Sequence, residues 1–363
     1  MEFSICIITK NECEKLEKCL RAARSLGCEI VVTDTGSEDA TLEMAKKYTD
    51  SIYHFDWCSD FARAKNYSAA RAANDMVFIL DSDEYILPEK SEIEGLRALM
   101  EGHPGEVGRL KRANQVMQDE GMTCYRDFTN RIFDRRLFCF QGRIHEQLVR
   151  GNVFEGPSED PYRPYATYYS GIIADHDGYV GSKQERKKKA DRNLQLLLKE
   201  LETRPEDTYI LYQIGKAYFL MEDNEGAAKY LGRALEFEVE PSYEYVADLV
   251  ETYGYALINC GRANEAVLLE SVSEEFGKSS DFWFMLGLAY MNNAEFSNAL
   301  AAFDRAIAVK NAKMQGVDSY LAWYNRGVIY ECMGNPKEAL DNYKRCGDYD
   351  RALAGLDRLR KSN

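Results

Sequence analysis

The sequence predicts an N-terminal α/β domain with a Rossmann-like, mainly parallel sheet, followed by an all-α repeat solenoid. Two observations lead to this fold class. Up to residue 84, short apolar runs alternate with segments whose apolar residues recur at helical spacing, and this β-α-β-α order predicts a parallel sheet with right-handed crossovers. Beyond residue 205, four glycines are each followed by an alanine at the same distance along the chain, which is typical of helical repeats.

The predicted elements of the α/β domain follow one another closely. They are a strand over 3–8, a helix that ends at Gly27, a strand over 29–33, a helix over 40–48, a short strand around 52–53, a helix through 73 and a strand over 76–80. Asn11 can cap the first helix. Asp34 follows the second strand, at the edge where open α/β sheets bind ligands. In that position it is as typical of a turn as of a nucleotide contact.

The strand over 76–80 ends at two carboxylates with one residue between them. Asp81 and Asp83 repel each other at neutral pH unless a positive charge lies close to both. Mn²⁺ or Mg²⁺ meets this need, because such cations share their ligands between protein carboxylates and substrate phosphates. Taken alone, the short motif is more often a solvated turn. Up to residue 84 there is no G-x-G-x-x-G and no G-K-[ST], which disfavours dinucleotide and P-loop chemistry.

Shorter alternating segments between residues 106 and 148 predict strands added beside the parallel sheet. This region contains six arginines that form a candidate diphosphate patch, half of which can equally be a solvated face: Arg126, Arg131, Arg135, Arg136, Arg143 and Arg150. The stretch over 156–171 is rich in Gly, Pro and Tyr and is expected to be a lid or a binding loop.

The rest of the chain is predicted to be helical. Residues 183–203 carry leucines at helical spacing, as an amphipathic connecting helix does. Further on, four glycines are each followed twelve residues later by an alanine: Gly215, Gly254, Gly287 and Gly327 precede Ala227, Ala266, Ala299 and Ala339. This is the tetratricopeptide pattern, whose period is about 34 residues. A final helix over 349–361 closes the solenoid, whose concave face is expected to bind a peptide or a partner subunit. The predicted limits are 1–180 for the α/β domain, 181–204 for the connecting helix and 205–363 for the repeats.

Composition and charge narrow the class of protein. The chain has 363 residues, of which 45% are hydrophobic and 29% charged, as in an ordinary soluble protein. Its net charge of -14 argues against a protein that wraps nucleic acid, because a phosphate backbone needs a basic face. No apolar stretch approaches the roughly 20 residues of a membrane span, and residues 1–8 resemble a strand more than a signal peptide. The ten scattered cysteines contain no C-x-x-C pair and are typical of a reducing compartment. We therefore expect a cytoplasmic protein.

Four motifs in order give the chain a specific resemblance. They are residues 4–12 (SICIITKNE), 34–37 (DTGS), 61–66 (FARAKN) and 81–84 (DSDE). Together they resemble the family 2 glycosyltransferases of the GT-A fold, and in particular the bacterial branch of the sublancin S-glycosyltransferase, in which such a domain precedes tetratricopeptide repeats. One departure is Lys65, where the branch has arginine. Lysine keeps the charge but loses bidentate geometry.

The resemblance implies a metal-dependent, inverting hexosyltransferase that moves a sugar from a nucleotide-sugar donor, expected to be a UDP-sugar, to a peptide or protein. It implies Asp83 and His176 as metal ligands, with Asp81 near the ribose or reaching the metal through water. Glu146 is the implied general base, although Gln147 replaces the acid that usually follows. The nucleotide would be contacted by Asp34 at the base and by further residues around the diphosphate and ribose: Thr9, Asn11, Lys65, Asp81 and Ser82.

Three other interpretations remain open at this point. The acceptor can be a cell-surface polysaccharide or a lipid-linked sugar instead of a peptide. The chain can be a peptide-binding scaffold with an inactive transferase domain. A nucleotidyltransferase uses a similar sheet and acids, although the chain lacks its phosphate loop rich in glycine and lysine. By resemblance, we expect a homodimer formed through the repeats.

Overall fold

The computed structural model of the protein describes residues 1–86, 90–118, 121–179 and 183–361. It divides into two compact units, Met1–Ser182 and Lys183–Asn363. The first unit contains β1 (Ser4–Thr9), α1 (Cys13–Arg24), β2 (Glu29–Asp34), α2 (Thr41–Ala45), β3 (Ile52–His54), α3 (Phe61–Ala70), β4 (Met76–Asp81), β5 (Glu84–Ile86), α4 (Lys90–Gly102), β6 (Val107–Gln118), β7 (Gly121–Asp134), β8 (Phe138–Gln141), β9 (Gln147–Asn152), β10 (Gly156–Pro157) and β11 (Thr167–Tyr179).

Eight of these strands form one sheet in the order β3-β2-β1-β4-β7-β6-β11-β5. The first four are mutually parallel, as the β-α-β-α pattern predicts. β7 joins β4 in the antiparallel direction and pairs with β6 as a long hairpin, while β11 runs parallel to β6 and antiparallel to β5. A small second sheet has the order β10-β9-β8. The α/β fold class and the added strands after residue 106 are confirmed.

β1 and β4 are apolar on both faces because both faces are covered. Ile5 and Ile7 pack with α1 in one core cluster, whereas Cys6 of the same strand packs with Val77 and Ile79 in another. Strands buried on both sides are near-continuous apolar runs in parallel sheets. In these two strands the polar residues therefore lie at the ends: Ser4 begins β1, Thr9 ends it and Asp81 ends β4.

Two local predictions in this unit are wrong. Asn11 does not cap α1, because Glu12 occupies the N-cap position; Asn11 has a φ of 52° and accepts a hydrogen bond from the backbone of Glu38 at 2.8 Å. The loop expected over 156–171 is shorter, since β10 and β11 take both of its ends. One of its tyrosines, Tyr165, donates to the carbonyl of Leu148 at 2.8 Å and serves packing.

The second unit is helical and lies within residues 183–361. Its elements are α5 (Lys183–Thr203), α6 (Thr208–Leu220), α7 (Asn224–Ala234), α8 (Glu244–Asn259), α9 (Ala263–Ala266), a 3-10 helix (Val267–Val272), α10 (Ser273–Phe276), α11 (Ser280–Asn292), α12 (Phe296–Val309), α13 (Tyr320–Cys332), α14 (Pro336–Lys344) and α15 (Asp350–Lys361). The helices expected near 183–203 and 349–361 are present. Within the described parts of the chain, no helix has both the length and the apolar character needed to cross a membrane.

The repeat glycines lie where two helices approach closely. A Cβ atom at Gly287 would lie 2.6 Å from the ring of Phe303 on α12, and one at Gly327 would lie 2.5 Å from Tyr343 on α14. Gly254 differs, because its close neighbour is Met285 of the following repeat. The second helix of that repeat is broken into α9, the 3-10 helix and α10, where the Ser271 hydroxyl donates to the carbonyl of Leu268 at 2.8 Å. Such local bonds compete with regular helix, and this repeat therefore departs from a regular pair of helices.

The close helix crossing at Gly287 gives a stability prediction. We expect Gly287→Ala to lower the free energy of unfolding of the repeat unit by about 1–3 kcal/mol, because the added methyl overpacks against Phe303 and outweighs the better helix propensity of alanine. Urea unfolding followed by the fluorescence of Trp283 and Trp323, both in this unit, measures the change. Gly95→Ala is the control, since a Cβ there meets nothing within 4 Å; it should leave this transition unchanged, and equal destabilisation by both variants would contradict the crossing argument.

Candidate active site

The carboxyl ends of β1, β2 and β4 bring three predicted site residues to one edge of the sheet. Thr9 pairs with Asp34, and Asp81 pairs with the neighbouring Ile8. The Asp34 carboxylate is buried and accepts hydrogen bonds from the backbone of Gly36 at 3.0 Å. Asp34 therefore anchors the turn after β2, which was one of its two predicted roles.

Asp34 lines a cavity of about 450 Å³. The other lining residues are Leu42, Lys46, Thr49, Asp50, Ile52, Tyr53 and His54. Nδ1 of His54 lies 3.7 Å from Asp34. The hydroxyl of Thr9 is 4% exposed and has no hydrogen-bond partner among the described residues. A buried hydroxyl without a partner is costly, so a polar ligand at this edge would stabilise it.

Asn11 and Ser82 connect the loops at the rim of this edge. The backbone of Asn11 donates to the hydroxyl of Ser37 at 2.9 Å, and the hydroxyl of Ser82 donates to the carboxylate of Glu12. Ser82 is buried. The structure thus places both residues beside the strand ends and gives each a contact within the protein.

Lys65 joins two of the predicted site carboxylates. It lies on α3 and is 3% exposed. Its Nζ is 2.8 Å from Oδ1 of Asp81 and 2.6 Å from Oε1 of Glu146. Glu146 reaches Lys65 from the turn between β8 and β9, in which His145 has a left-handed φ of 50°. The ammonium group therefore holds Glu146 and Asp81 together, a role that the sequence analysis did not foresee.

Arg131 is the second cation of this cluster. Its Nη2 donates to Oδ2 of Asp81 at 2.5 Å and to Oε1 of Glu84 at 2.7 Å. Glu84 is fully buried and also accepts from the backbone of Asp81 at 3.0 Å. The sequence analysis assigned no role to Glu84. In the structure it stabilises the turn at Asp81 by accepting from the Asp81 backbone and from Arg131.

The pKa shifts in this cluster follow from its charges. Burial alone would raise the pKa of Asp81, but Arg131 and Lys65 outweigh it and hold that pKa well below its usual value. Burial alone would likewise lower the pKa of Lys65, yet Asp81 and Glu146 raise it above the ordinary lysine value. Both groups are therefore charged at neutral pH. Removing one member of such a buried pair leaves an uncompensated charge.

Asp83 and His176 come together as the sequence analysis predicted. Nε2 of His176 lies 3.5 Å from Oδ1 of Asp83, which is too long for a hydrogen bond, and both residues are largely buried. The two carboxylates of the motif thus have different neighbours: both oxygens of Asp81 contact cations, whereas Asp83 faces the histidine. Within the described segments, no group of three or more such side chains forms a complete metal site. The pair nevertheless fits a cation that takes its other ligands from water and substrate phosphates.

The arginine patch is largely committed to the protein itself. Arg131 pairs with Asp81 and Glu84, and Arg136 pairs with Asp134 at 2.7 Å. Arg135 donates to backbone carbonyls, including that of Ala72. Arg150 donates to the carbonyl of Pro164 at 3.0 Å. Four of the six arginines of the candidate diphosphate patch thus contact acceptors within the protein, and one of these four, Arg136, is exposed. The patch stays a prediction.

Comparisons with known families agree with this architecture. Residues 4–137 match the family model described as Glycosyl transferase family 2. Tetratricopeptide repeat models match residues 208–238, 280–313 and 320–346. The stretch between the first two repeat matches contains the broken helix of the second repeat. The predicted domain types and their order are thus confirmed.

Two curated relatives extend over most of the chain. A TPR repeat-containing protein of Synechococcus elongatus is 28% identical over 250 residues, which are 67% of this chain and 59% of the relative. The SPbeta prophage-derived glycosyltransferase SunS of Bacillus subtilis is 24% identical over 238 residues, which are 63% of this chain and 52% of that protein. The chain therefore matches little more than half the length of these relatives. Among solved structures, YrrB, a TPR protein with an unusual peptide-binding site, aligns with 47% of this chain and 84% of its own at 21% identity and a TM-score of 0.40.

Proposed function

We propose that this chain, which joins a family 2 glycosyltransferase domain to tetratricopeptide repeats, is a metal-dependent, inverting glycosyltransferase that moves a sugar from a UDP-sugar to a peptide or protein. One observation carries the proposal. Asp83, just after β4, and His176, on β11, lie 3.5 Å apart. Asp81, at the end of β4, is linked through Lys65 to Glu146. A candidate cation site and a candidate base are thus held in one cluster.

Asp83 and His176 are the residues that would hold the cation. A bound Mn²⁺ or Mg²⁺ supplies Lewis-acid neutralisation of the leaving diphosphate. Asp81 lies beside them and, fixed by Lys65 and Arg131, would position the ribose or a water. An imidazole ligand favours Mn²⁺ over Mg²⁺, because Mg²⁺ prefers an all-oxygen shell.

The nucleotide would occupy the edge formed by β1 and β2. Asp34 lines the cavity there and is assigned the base contact. The pocket would be completed towards the diphosphate by the backbone around Asn11 and Ser82 and by the hydroxyl of Thr9. That hydroxyl has no hydrogen-bond partner within the part of the chain that the structure describes. Lys65 is assigned to the carboxylate cluster and not directly to a phosphate, because its ammonium already contacts Asp81 and Glu146.

Glu146 is the proposed general base. In an inverting reaction, the acceptor atom forms a bond to the anomeric carbon as the bond to the diphosphate breaks. The acceptor proton passes to the carboxylate of Glu146, and the electron pair of the broken bond leaves with the diphosphate. Lys65 holds Glu146 at 2.6 Å, so the base is oriented before the acceptor arrives.

The repeats are proposed to hold the acceptor. Tyrosines cluster on the first helices of the first two repeats, where the ring centroids of Tyr209 and Tyr245 lie 5.2 Å apart and Tyr243 is exposed. Tyrosine gives binding surfaces both apolar area and a polar group. Dimerisation through the repeats remains part of the proposal and is testable by measuring mass in solution.

Thermal unfolding against a panel of nucleotide sugars, with and without Mn²⁺, tests the proposal. We expect a UDP-sugar to raise Tm by about 5 °C or more at a hundredfold excess over Kd, because binding to the folded state stabilises it by about 2.7 kcal/mol. The shift should require Mn²⁺ and should be largest for one sugar, which would identify the donor. No shift with any donor at millimolar Mn²⁺ would contradict donor binding, and an equal shift without metal would contradict the cation.

A further inference from the structure

Asn114 lies directly beside the candidate cation site. It is on β6 and 1% exposed, next to His176 on β11 and next to Tyr125 on β7. Oδ1 of Asn114 is 2.7 Å from Nδ1 of His176. Nothing in the local sequence marks Asn114, because its position beside His176 depends on the pairing of β6 with β11, two strands that are far apart in the sequence.

The neighbours of Asn114 determine which way its side-chain amide points. Nδ2 donates to the carbonyl of Tyr125 at 3.2 Å and to Oδ1 of Asp127 at 3.2 Å. Both of these atoms are acceptors only, so a flipped amide would place oxygen against oxygen. Oδ1 therefore faces His176 and can only accept, which requires the proton of the ring to be on Nδ1.

The consequence concerns the other ring nitrogen. In a neutral imidazole with the proton on Nδ1, Nε2 carries the lone pair. Nε2 is the atom that lies 3.5 Å from Asp83. The hydrogen bond that Nδ1–H of His176 donates to Asn114 thus leaves, at the cation site, the ring nitrogen that can bind metal.

Asn114 is itself held by a chain of ionic contacts. Asp127 receives two hydrogen bonds from Arg112, at 3.0 and 2.6 Å. Arg112 also lies 3.5 Å from the buried Glu84, which supports the Asp81 turn. The amide orientation is therefore fixed by the same ionic cluster that holds Asp81.

We infer that Asn114 is a positioning residue for the metal: it holds His176 as the Nδ1–H tautomer, so that the Nε2 lone pair and the Asp83 carboxylate are presented to one divalent cation. The metal part of this inference rests on the proposed function, whereas the tautomer does not. Outer partners of this kind typically change metal affinity by 10- to 100-fold.

The tautomer is measurable without metal or substrate. The full chain has four histidines, so ¹⁵N-histidine labelling and long-range ¹H–¹⁵N correlation at pH 8 give few signals, and His176→Gln identifies those of His176. We expect Nδ1–H in the wild type and Nε2–H in Asn114→Leu, which removes the acceptor. Asn130→Leu is the matched control. Asn130 lies on the same β6–β7 hairpin as Asn114, but its amide donates to the hydroxyl of Tyr165, so its loss should leave the tautomer unchanged.

Metal affinity provides the second readout. Free Mn²⁺ counted by EPR in the presence of UDP should show a Kd 10- to 100-fold weaker for Asn114→Leu than for the wild type and Asn130→Leu. An unchanged tautomer in Asn114→Leu, or a switched tautomer with an unchanged Kd, would overturn the inference. A wild type that has the Nδ1–H tautomer but binds no Mn²⁺ would overturn the metal role in the proposed function and leave the tautomer assignment standing.

Discussion

Asp83→Ala should lower the rate of nucleoside diphosphate release from the donor by about a thousandfold or more. A cation on a leaving diphosphate contributes several kcal/mol of charge stabilisation in the transition state, and each 1.36 kcal/mol corresponds to a tenfold change in rate. Asp83 is the carboxylate that faces His176 at 3.5 Å, and both oxygens of Asp81 are already paired. Asp81 therefore cannot take over its role without breaking its own ion pairs. A coupled assay for released UDP, with Mn²⁺ in excess, measures the loss.

The control for Asp83→Ala is Asp175→Ala. Asp175 is adjacent to His176 on β11 but is exposed, so its removal changes local charge without touching the pair. We expect its rate to stay within about twofold of the wild type. If Asp83→Ala retained a comparable rate while remaining folded by circular dichroism, the assignment of Asp83 as a metal ligand would be wrong.

Glu146→Gln should lower the transfer rate at least a hundredfold while leaving donor binding intact. A positioned general base contributes about 10²–10⁴-fold, so we expect the transfer rate to fall by at least a hundredfold. Glutamine keeps the size of the side chain and an oxygen that can accept from Lys65, so the cluster with Asp81 should persist. The Tm shift caused by donor and Mn²⁺ should therefore match the wild type while product formation, followed by mass spectrometry, is lost.

Glu155→Gln is the matched control for the base. Glu155 lies between β9 and β10 and contacts Asn152, away from Lys65. It should transfer at the wild-type rate. Transfer retained in Glu146→Gln would place the base elsewhere, whereas loss of the Tm shift together with transfer would make Glu146 a structural member of the Lys65 cluster.

The fold follows from local sequence patterns to a large extent. The apolar runs ending at Thr9, Asp34 and Asp81 are strands because both faces of β1 and β4 are covered, and this produces an unmistakable sequence signal. The repeat glycines are similarly clear, since Gly287 and Gly327 must admit Phe303 and Tyr343. The second repeat shows the limit of such patterns: Gly254 and its alanine partner are at the expected spacing, yet the helix after Gly261 is irregular.

The arrangement of the site was only partly predictable. The proximity of Asp83 and His176 was expected only from the family resemblance. Nothing in the local sequence indicates that β11 pairs with β5 and β6. The roles of Lys65, Arg131 and Asn114 could not be read from the chain, since each depends on a partner many residues away across a strand register or a helix packing. Lys65 was recognised only as a member of the family motif over 61–66, and its two carboxylate partners were not predicted.

The wild-type arm of the Asp83 experiment tests whether sugar transfer from the donor depends on a divalent cation. The full chain is incubated with the UDP-sugar selected by thermal shift and a candidate peptide acceptor, and released UDP is counted with Mn²⁺ and again after chelation. We expect Mn²⁺-dependent release that stops on chelation, resumes when Mn²⁺ is restored and is strongly reduced in Asp83→Ala. Release that is equal with and without the metal, or no release from a donor that binds, would contradict it.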